Sequence, residues 1–175
     1  MKIFNLLPPT EYQIQISKLF AKYSVGTSLD KYAERSQNDV EKITLDIFNG
    51  KVCEYMVYNT MLSKGKKLSR VDIEIYDAKN KTFDADFTLN GYNFHVKSHF
   101  VNGNFPVSWL FQNHDSLVTN PTENDYIIFC EIHNLEHPKN TMYMVNAKNV
   151  NYELPIKDVL KKTKVCVYKN TLLNG

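Results

Sequence analysis

This sequence contains few cysteines, almost no arginine and none of the common nucleotide-binding loops. Cysteine occurs three times in 175 residues, at Cys53, Cys130 and Cys166, with no CxxC pair. An odd and scattered set argues against a disulfide framework and reads as three small buried hydrophobes. No run approaches the ~18 consecutive apolar residues of a spanning helix, so no membrane segment is expected. The apolar stretch of the opening MKIFNLLPP is too short for a signal peptide, and a cytoplasmic protein is expected. GxxxxGK[ST], GxSxG and GxGxxG are all absent. Nothing therefore points to an NTP-driven motor, a serine hydrolase or a dinucleotide enzyme, and no nucleotide cofactor is expected. Only Arg35 and Arg70 are arginines, and the other basic residues are lysines.

What is present is ordinary for a folded domain. Hydrophobic residues make up 43% and charged residues 23%, which excludes a disordered chain, a collagen and a coiled coil. The length fits one domain spanning residues 1–175, able to bury a core without staples. The net charge of +2 is only a faint hint of a polyanionic partner.

Local patterns give an ordered set of elements. Thr10 and Gln13 fit a capping box, and Ile16, Leu19, Phe20 and Tyr23 follow at helical spacing until Val25-Gly26-Thr27. A longer helix is expected from near Asn38, with Asn38 and Glu41 as a second box, to Lys64-Gly65. Gly50 lies inside it at a cost of ~1 kcal/mol relative to Ala, which calls for a packing or binding reason. The period then falls to two. Residues 70–77 read as a strand, and 83–99 as a hairpin about Asn90-Gly91. A short helix is expected around Ser108–Asn113, and the apolar run Asp125–His133 reads as a central buried strand. Thr141–Val145 is a further strand, Leu154-Pro155 opens a short helix through Lys162, and Lys164–Lys169 is a last strand. The expected fold class is α/β, a mixed sheet with helices against it.

The hairpin carries the chemistry. A two-residue turn at Asn90-Gly91 fixes the register so that Leu89 faces Tyr92, Asp86 faces His95 and Asp84 faces Lys97. Alternation then puts Asp84, Asp86, His95 and Lys97 on one face, with Phe83, Ala85, Phe87, Phe94 and Val96 on the core side. Two cross-strand pairs on a solvated face would account for these residues. So would a divalent-metal site, in which carboxylates supply hard oxygen ligands to Mg²⁺ and the ammonium activates a water.

The stretch FDADFTLNGYNFHVKS resembles the hairpin of the PD-(D/E)xK nuclease superfamily, which includes most type II restriction endonucleases. The resemblance spans roughly residues 40–135, the expected catalytic core. It implies a restriction-endonuclease-like mixed sheet flanked by helices, and Mg²⁺-dependent hydrolysis of DNA phosphodiesters, with Mn²⁺ able to substitute. Asp86 matches the first Asp and Lys97 the motif lysine, and Glu54, in NGKVCEYMVYNTML, matches the acidic residue of the preceding helix. Where the family is normally acidic this chain has His95. Asp84 is one replacement carboxylate; Glu54 is the other, with His95 holding a ligand water or a phosphate. The expected arrangement has Asp86 and Glu54 as the metal carboxylates and Asp84 paired with Lys97.

The implied substrate is double-stranded DNA, cut at a specific sequence by a homodimer whose two-fold matches a palindrome. Alternatives are a repair, phage or junction-resolving nuclease of the same fold, or a non-catalytic DNA-binding module. Arg35, Gln37, Asn38, Ser98, His99, Asn102, Asn104, Gln112 and Asn113 are candidate DNA contacts. Lys51, Lys64, Lys66 and Lys67 flank the helix that bears Glu54 and are candidate phosphate contacts. Trp109 reads either as a core anchor or as a base-stacking platform. The i, i+4 pair His133 and His137 has zinc-like spacing with no matching third ligand.

Overall fold

A computed structural model of the chain describes residues 1–33, 38–76 and 85–174. It shows a mixed α/β fold in which a five-stranded sheet is sandwiched between helices and a second, two-stranded sheet. Strand β1 (Lys2–Asn5) leads into α1 (Glu11–Ser24), α2 (Leu29–Ala33) and α3 (Val40–Ser63). Strands β2 (Phe87–Leu89), β3 (Tyr92–Phe100) and β4 (Ser108–Gln112) follow, then α4 (Ser116–Thr119), β5 (Asp125–Ile132) and β6 (Thr141–Asn146). A 3₁₀ turn (Ala147–Asn149), α5 (Asp158–Lys161), β7 (Lys164–Tyr168) and α6 (Lys169–Asn174) complete the described chain.

The large sheet runs β1-β6-β5-β3-β2, and only β3 and β5 are parallel. Strand β5 is central and buried because DYIIFCEI supplies apolar side chains to both faces at once. Ile128, Cys130 and Ile132 point into the core against Val52, Cys53 and Met56 of α3; Ile127 and Phe129 point to the other side, against Trp109, Phe111 and Val167 of the β4–β7 sheet. The three cysteines are free and buried. None of the described helices is long and apolar enough to cross a membrane.

Several local expectations hold. Thr10 accepts from the Gln13 backbone while Gln13 reaches back to Thr10, so the first capping box is formed. The hairpin turn has positive φ at Asn90 and Gly91, and its register is Leu89↔Tyr92, Thr88↔Asn93, Phe87↔Phe94. Others are corrected. The long helix is capped by Asp39, whose side chain accepts from Lys42, rather than by Asn38. Residues 70–76 alternate as a strand should but join no ladder among the described residues; Ile73 and Ile75 are exposed, and hydrogen bonds between Ser69 and Thr88 tie the start of the segment to β2. Ser108–Gln112 is a strand, not a helix, because Trp109 and Phe111 are buried with Leu110 exposed between them, a period of two. Helix α5 starts at Asp158, leaving Pro155 outside it. Strand β1, α2 and α6 were not anticipated.

Candidate active site

Asp86 stands where the hairpin ladder breaks. The alternation of a two-residue hairpin calls for the Val96 N–H to reach the Ala85 carbonyl. Instead it donates to Asp86 Oδ2 at 2.7 Å. The carboxylate thus takes over a backbone acceptor's place, which ends β2 at Phe87 and fixes the half-buried Asp86 beside the sheet edge.

From that edge Asp86 shares a cleft of about 180 Å³ with Glu54 of α3. Phe20, Ser24 and Thr27 close it on the α1 side, and Asp72, Glu74 and Tyr76 close it on the extended segment. Glu54 is buried because α3 packs this face on the sheet, and its partner is on its own helix. Lys51 Nζ, at i−3 and itself buried, lies 2.7 Å from Glu54 Oε2. The same ammonium donates to the Asp72 carbonyl at 2.6 Å and sits 4.7 Å from the centre of the Phe20 ring. Among the described residues, the cleft is lined by Glu54, Asp86 and the exposed Asp72 and Glu74, with Lys51 as its one ammonium; Asp72 accepts from the Glu74 N–H, and Glu74 from the Tyr76 hydroxyl. Burial, and then the charge of Asp86, push the Glu54 carboxyl up to about 8 in spite of Lys51. The Lys51–Glu54 spacing was legible as an i, i+3 pair; the contribution of Asp72 and Glu74 was not, because it depends on a segment with no ladder of its own.

His95 and Lys97 are not part of this cleft. They are in register with Ile127 and Phe129 of β5, whose side chains face the β4–β7 sheet. His95 Nε2 lies 3.7 Å from Asp125 Oδ1, and Lys97 Nζ lies 3.9 Å from Asp115 Oδ2 and 5.0 Å from the centre of the Phe111 ring. Asp125 also accepts from the Asn93 side chain and from Thr122. Burial pushes its carboxyl up, but these donors and His95 outweigh that and hold it below the usual range. The structure thus brings Glu54 and Asp86 together and places the other two predicted residues across the sheet. Asp84, the fifth, lies outside the described residues.

The candidate DNA contacts divide similarly. Arg35 and Gln37 lie outside the described residues. Asn38 is exposed at the start of α3, Asn102 and Asn104 are exposed in the loop before β4, and Asn113 is exposed after β4. Ser98 and Gln112 are half-buried within strands. His99 is turned inward: its Nδ1 lies 2.8 Å from the Ser108 carbonyl, and its Nε2 is buried without a partner, so it is not presented to a base edge. Trp109 is a core anchor, buried with its Nε1 donating to the Cys130 carbonyl at 3.0 Å. His133 and His137 stack with ring centres 4.6 Å apart. Among the described residues, no three His, Cys, Asp or Glu side chains form a metal cage.

Mg²⁺ does not need such a cage. It keeps several waters and is held by one or two carboxylates together with substrate phosphates. Glu54 and Asp86 line one cleft and can supply such a donor pair, and a divalent cation would offset the charge of Asp86 that, after burial, raises Glu54. The donor chemistry of the cleft therefore fits the ion. Comparison of the chain with protein-family models, curated proteins and solved structures finds no match in any of the three.

Proposed function

We propose that the protein is a Mg²⁺-dependent endonuclease of restriction-endonuclease-like fold that hydrolyses DNA phosphodiesters at the Glu54–Asp86 cleft. The observation that carries this reading is that a buried glutamate and the aspartate of the hairpin share one cleft in which Lys51 is the one ammonium among the described residues. The resemblance of the hairpin to the PD-(D/E)xK nucleases supports it. Glu54 and Asp86 would hold the ion. Once bound, the ion would supply Lewis acidity at the scissile phosphate and lower the pKa of a bound water.

The chain's own residues have separable tasks. Asp86 is oriented by the Val96 N–H, so one oxygen is fixed and the other remains for the ion or a water. Lys51 holds the Glu54 carboxylate in place through Oε2 and is the one ammonium lining the cleft among the described residues. We assign to it the role that the resemblance gives to Lys97. Burial, and then the charge of Asp86, raise the Glu54 carboxyl to about 8, so a cation binding there near neutral pH would compete with a proton. A homodimer cutting both strands of a palindromic duplex is the favoured assembly.

The second reading is a non-catalytic DNA-binding module. It is favoured by one observation, the pairing of Lys97 with Asp115 across the sheet from Glu54 and Asp86. Incubation with unmodified mixed-sequence plasmid, with Mg²⁺ and in parallel with EDTA, separates the two readings. Discrete Mg²⁺-dependent fragments support the sequence-specific nuclease, and a smear supports hydrolysis without sequence choice. DNA left intact across divalent metals overturns hydrolysis.

A further inference from the structure

A second recess lies at the other end of α3, outside the carboxylate cleft. It encloses about 1240 Å³ beneath the hairpin turn, bounded by β1, the end of α3, the 3₁₀ turn and α6. Glu54 and Met61, which lines this recess, are seven residues apart on α3, or roughly 10 Å along the axis. The charge of its lining is one-sided. Lys2, Lys66, Lys67 and Lys148 line it, with four asparagines and, among the described residues, no aspartate or glutamate. Lys148 is paired with the exposed Glu123 at 3.2 Å. Lys2, Lys66 and Lys67 are exposed, and none makes an ion pair among the described residues. Three unpaired ammonium groups around a concave surface repel one another and favour an anion.

The lining also contains aromatic rings. Tyr92, beside the turn, is 43% exposed, and an edge-to-face contact with Tyr126 at 5.6 Å holds its ring. An exposed ring held in place among lysines and side-chain amides suits a base stacked beside its phosphates. Size narrows the ligand further. The volume exceeds the ~300–1,000 Å³ typical of sites for one small molecule. The recess runs along the end of the sheet from β2 to β1, four strand spacings or roughly 19 Å, so a volume of about 1240 Å³ leaves it only ~8 Å in width and depth, narrower than even the ~12 Å major groove of a duplex. A strand enters such a space and a duplex does not. An acidic peptide would use the lysines but not the tyrosine.

We propose that this recess binds a segment of single-stranded polynucleotide, with phosphates on Lys2, Lys66 and Lys67 and a base on Tyr92. The site is built from residues other than those of the carboxylate cleft and goes beyond the hydrolytic reading. The test is fluorescence anisotropy of a labelled 12-nucleotide oligothymidylate, with EDTA present, against the same-length duplex. The single strand is expected to bind at least tenfold more tightly than the duplex. Lys66→Gln with Lys67→Gln should weaken it at least tenfold and flatten the salt dependence by roughly 1.4 in log–log slope, at ~0.7 per phosphate. Tyr92→Ala should cost a further fivefold or more. All three residues are exposed, and circular dichroism checks that the variants fold.

Absence of oligothymidylate binding, tighter binding of the duplex, or affinity unchanged in the Lys66/Lys67 variant would each overturn the site. So would competition by polyglutamate as effective as that by unlabelled oligonucleotide. Because the assay is run without divalent metal, a protein that binds but never cleaves leaves this site standing and overturns only the nuclease.

Discussion

The two faces of the sheet around β3 handle charge in opposite ways. On the β4–β7 side three polar contacts are matched: His95 lies beside Asp125, Lys97 beside Asp115, and Lys169 with the Tyr143 hydroxyl contacts the buried Glu131. On the α3 side, Glu54 and Asp86 share a cleft in which Lys51 is the one ammonium among the described residues. A compensated set needs nothing from solution and is explained by folding. On the α3 side burial, and then the charge of Asp86, push Glu54 up to about 8, and this is the imbalance on which the proposed cation site rests. Spacing in the hairpin draws attention to His95 and Lys97, whereas charge balance draws it to Glu54, Asp86 and Lys51.

The largest effect expected is at Asp86 and Glu54. Asp86→Asn and Glu54→Gln should each reduce plasmid cleavage by at least ~10³-fold, because a metal contributes several kcal/mol to such a reaction. Asp86→Asn keeps an oxygen for the Val96 N–H and should lose under ~1 kcal/mol of stability. Asp86→Ala strands that donor and should cost ~1–3 kcal/mol in urea unfolding. Full cleavage by either conservative variant would erase the distinction between the faces.

The next comparison sets the two lysines against each other. Lys51→Met should lower cleavage by about 10²-fold, comparable to removing one preorganised charge contact. Lys97→Met should lower it by less than threefold and change stability by ~0–1 kcal/mol, since its 3.9 Å pair is partly exposed. Because Lys51 is buried, its variant is compared by kcat at a temperature where circular dichroism shows it folded. The opposite ranking would return the reacting centre to the hairpin face.

A smaller effect is the pH dependence of the metal-free protein. Between its ordinary value of 4.5 and about 8, Glu54 retains in the folded state a proton that the unfolded chain has lost. Stability from this group is therefore full below pH 4.5 and falls as pH rises towards 8. Glu54→Gln should remove that slope, so the variant gains on the parent between pH 5 and pH 8 in chemical unfolding. Mg²⁺ binding at neutral pH should release a proton, visible as a buffer-dependent heat. A parent-to-variant difference that is constant with pH would show that Glu54 is ionised throughout.

What could be read from sequence was what depends on neighbours in the chain. The Thr10 box, the Asn90-Gly91 turn and the central β5 follow from a few adjacent residues, and each is where its pattern predicts. The register is correct as far as Phe87↔Phe94. The face assignment fails one pair later, because the Asp86 carboxylate takes a hydrogen bond that the regular pleat assigns to backbone. Strand β4 was mistaken for a helix because five residues carry too little periodicity to choose, and its partner β7 is more than 50 residues away. Segment 70–76 has a strand's alternation without a ladder among the described residues, so pattern alone overstated it. Glu54 was singled out through the resemblance, on a helix whose pattern was clear; Lys51, read as a phosphate contact, is instead buried and paired with Glu54.

The smallest expected effect is at Gly50, and it separates stability from function on the α3 face. Gly50 lies four residues before Glu54, so both share one side of the helix. A Cβ built there meets nothing within 4 Å, and the backbone is ordinary helix, so neither packing nor conformation demands glycine. On propensity alone, Gly50→Ala should stabilise the protein by roughly 0.5–1 kcal/mol, seen as a higher urea midpoint. If the helix face beside Glu54 only supports the fold, cleavage by this variant should match the parent. If a DNA strand passes close to the helix backbone there, the more stable variant should show a raised KM with kcat preserved, because a methyl group would stand in the path of the substrate. We expect the latter, since open space beside the Glu54–Asp86 pair is where a phosphate must approach. An unchanged KM would move the strand's path away from α3 while leaving the Glu54–Asp86 pair in place.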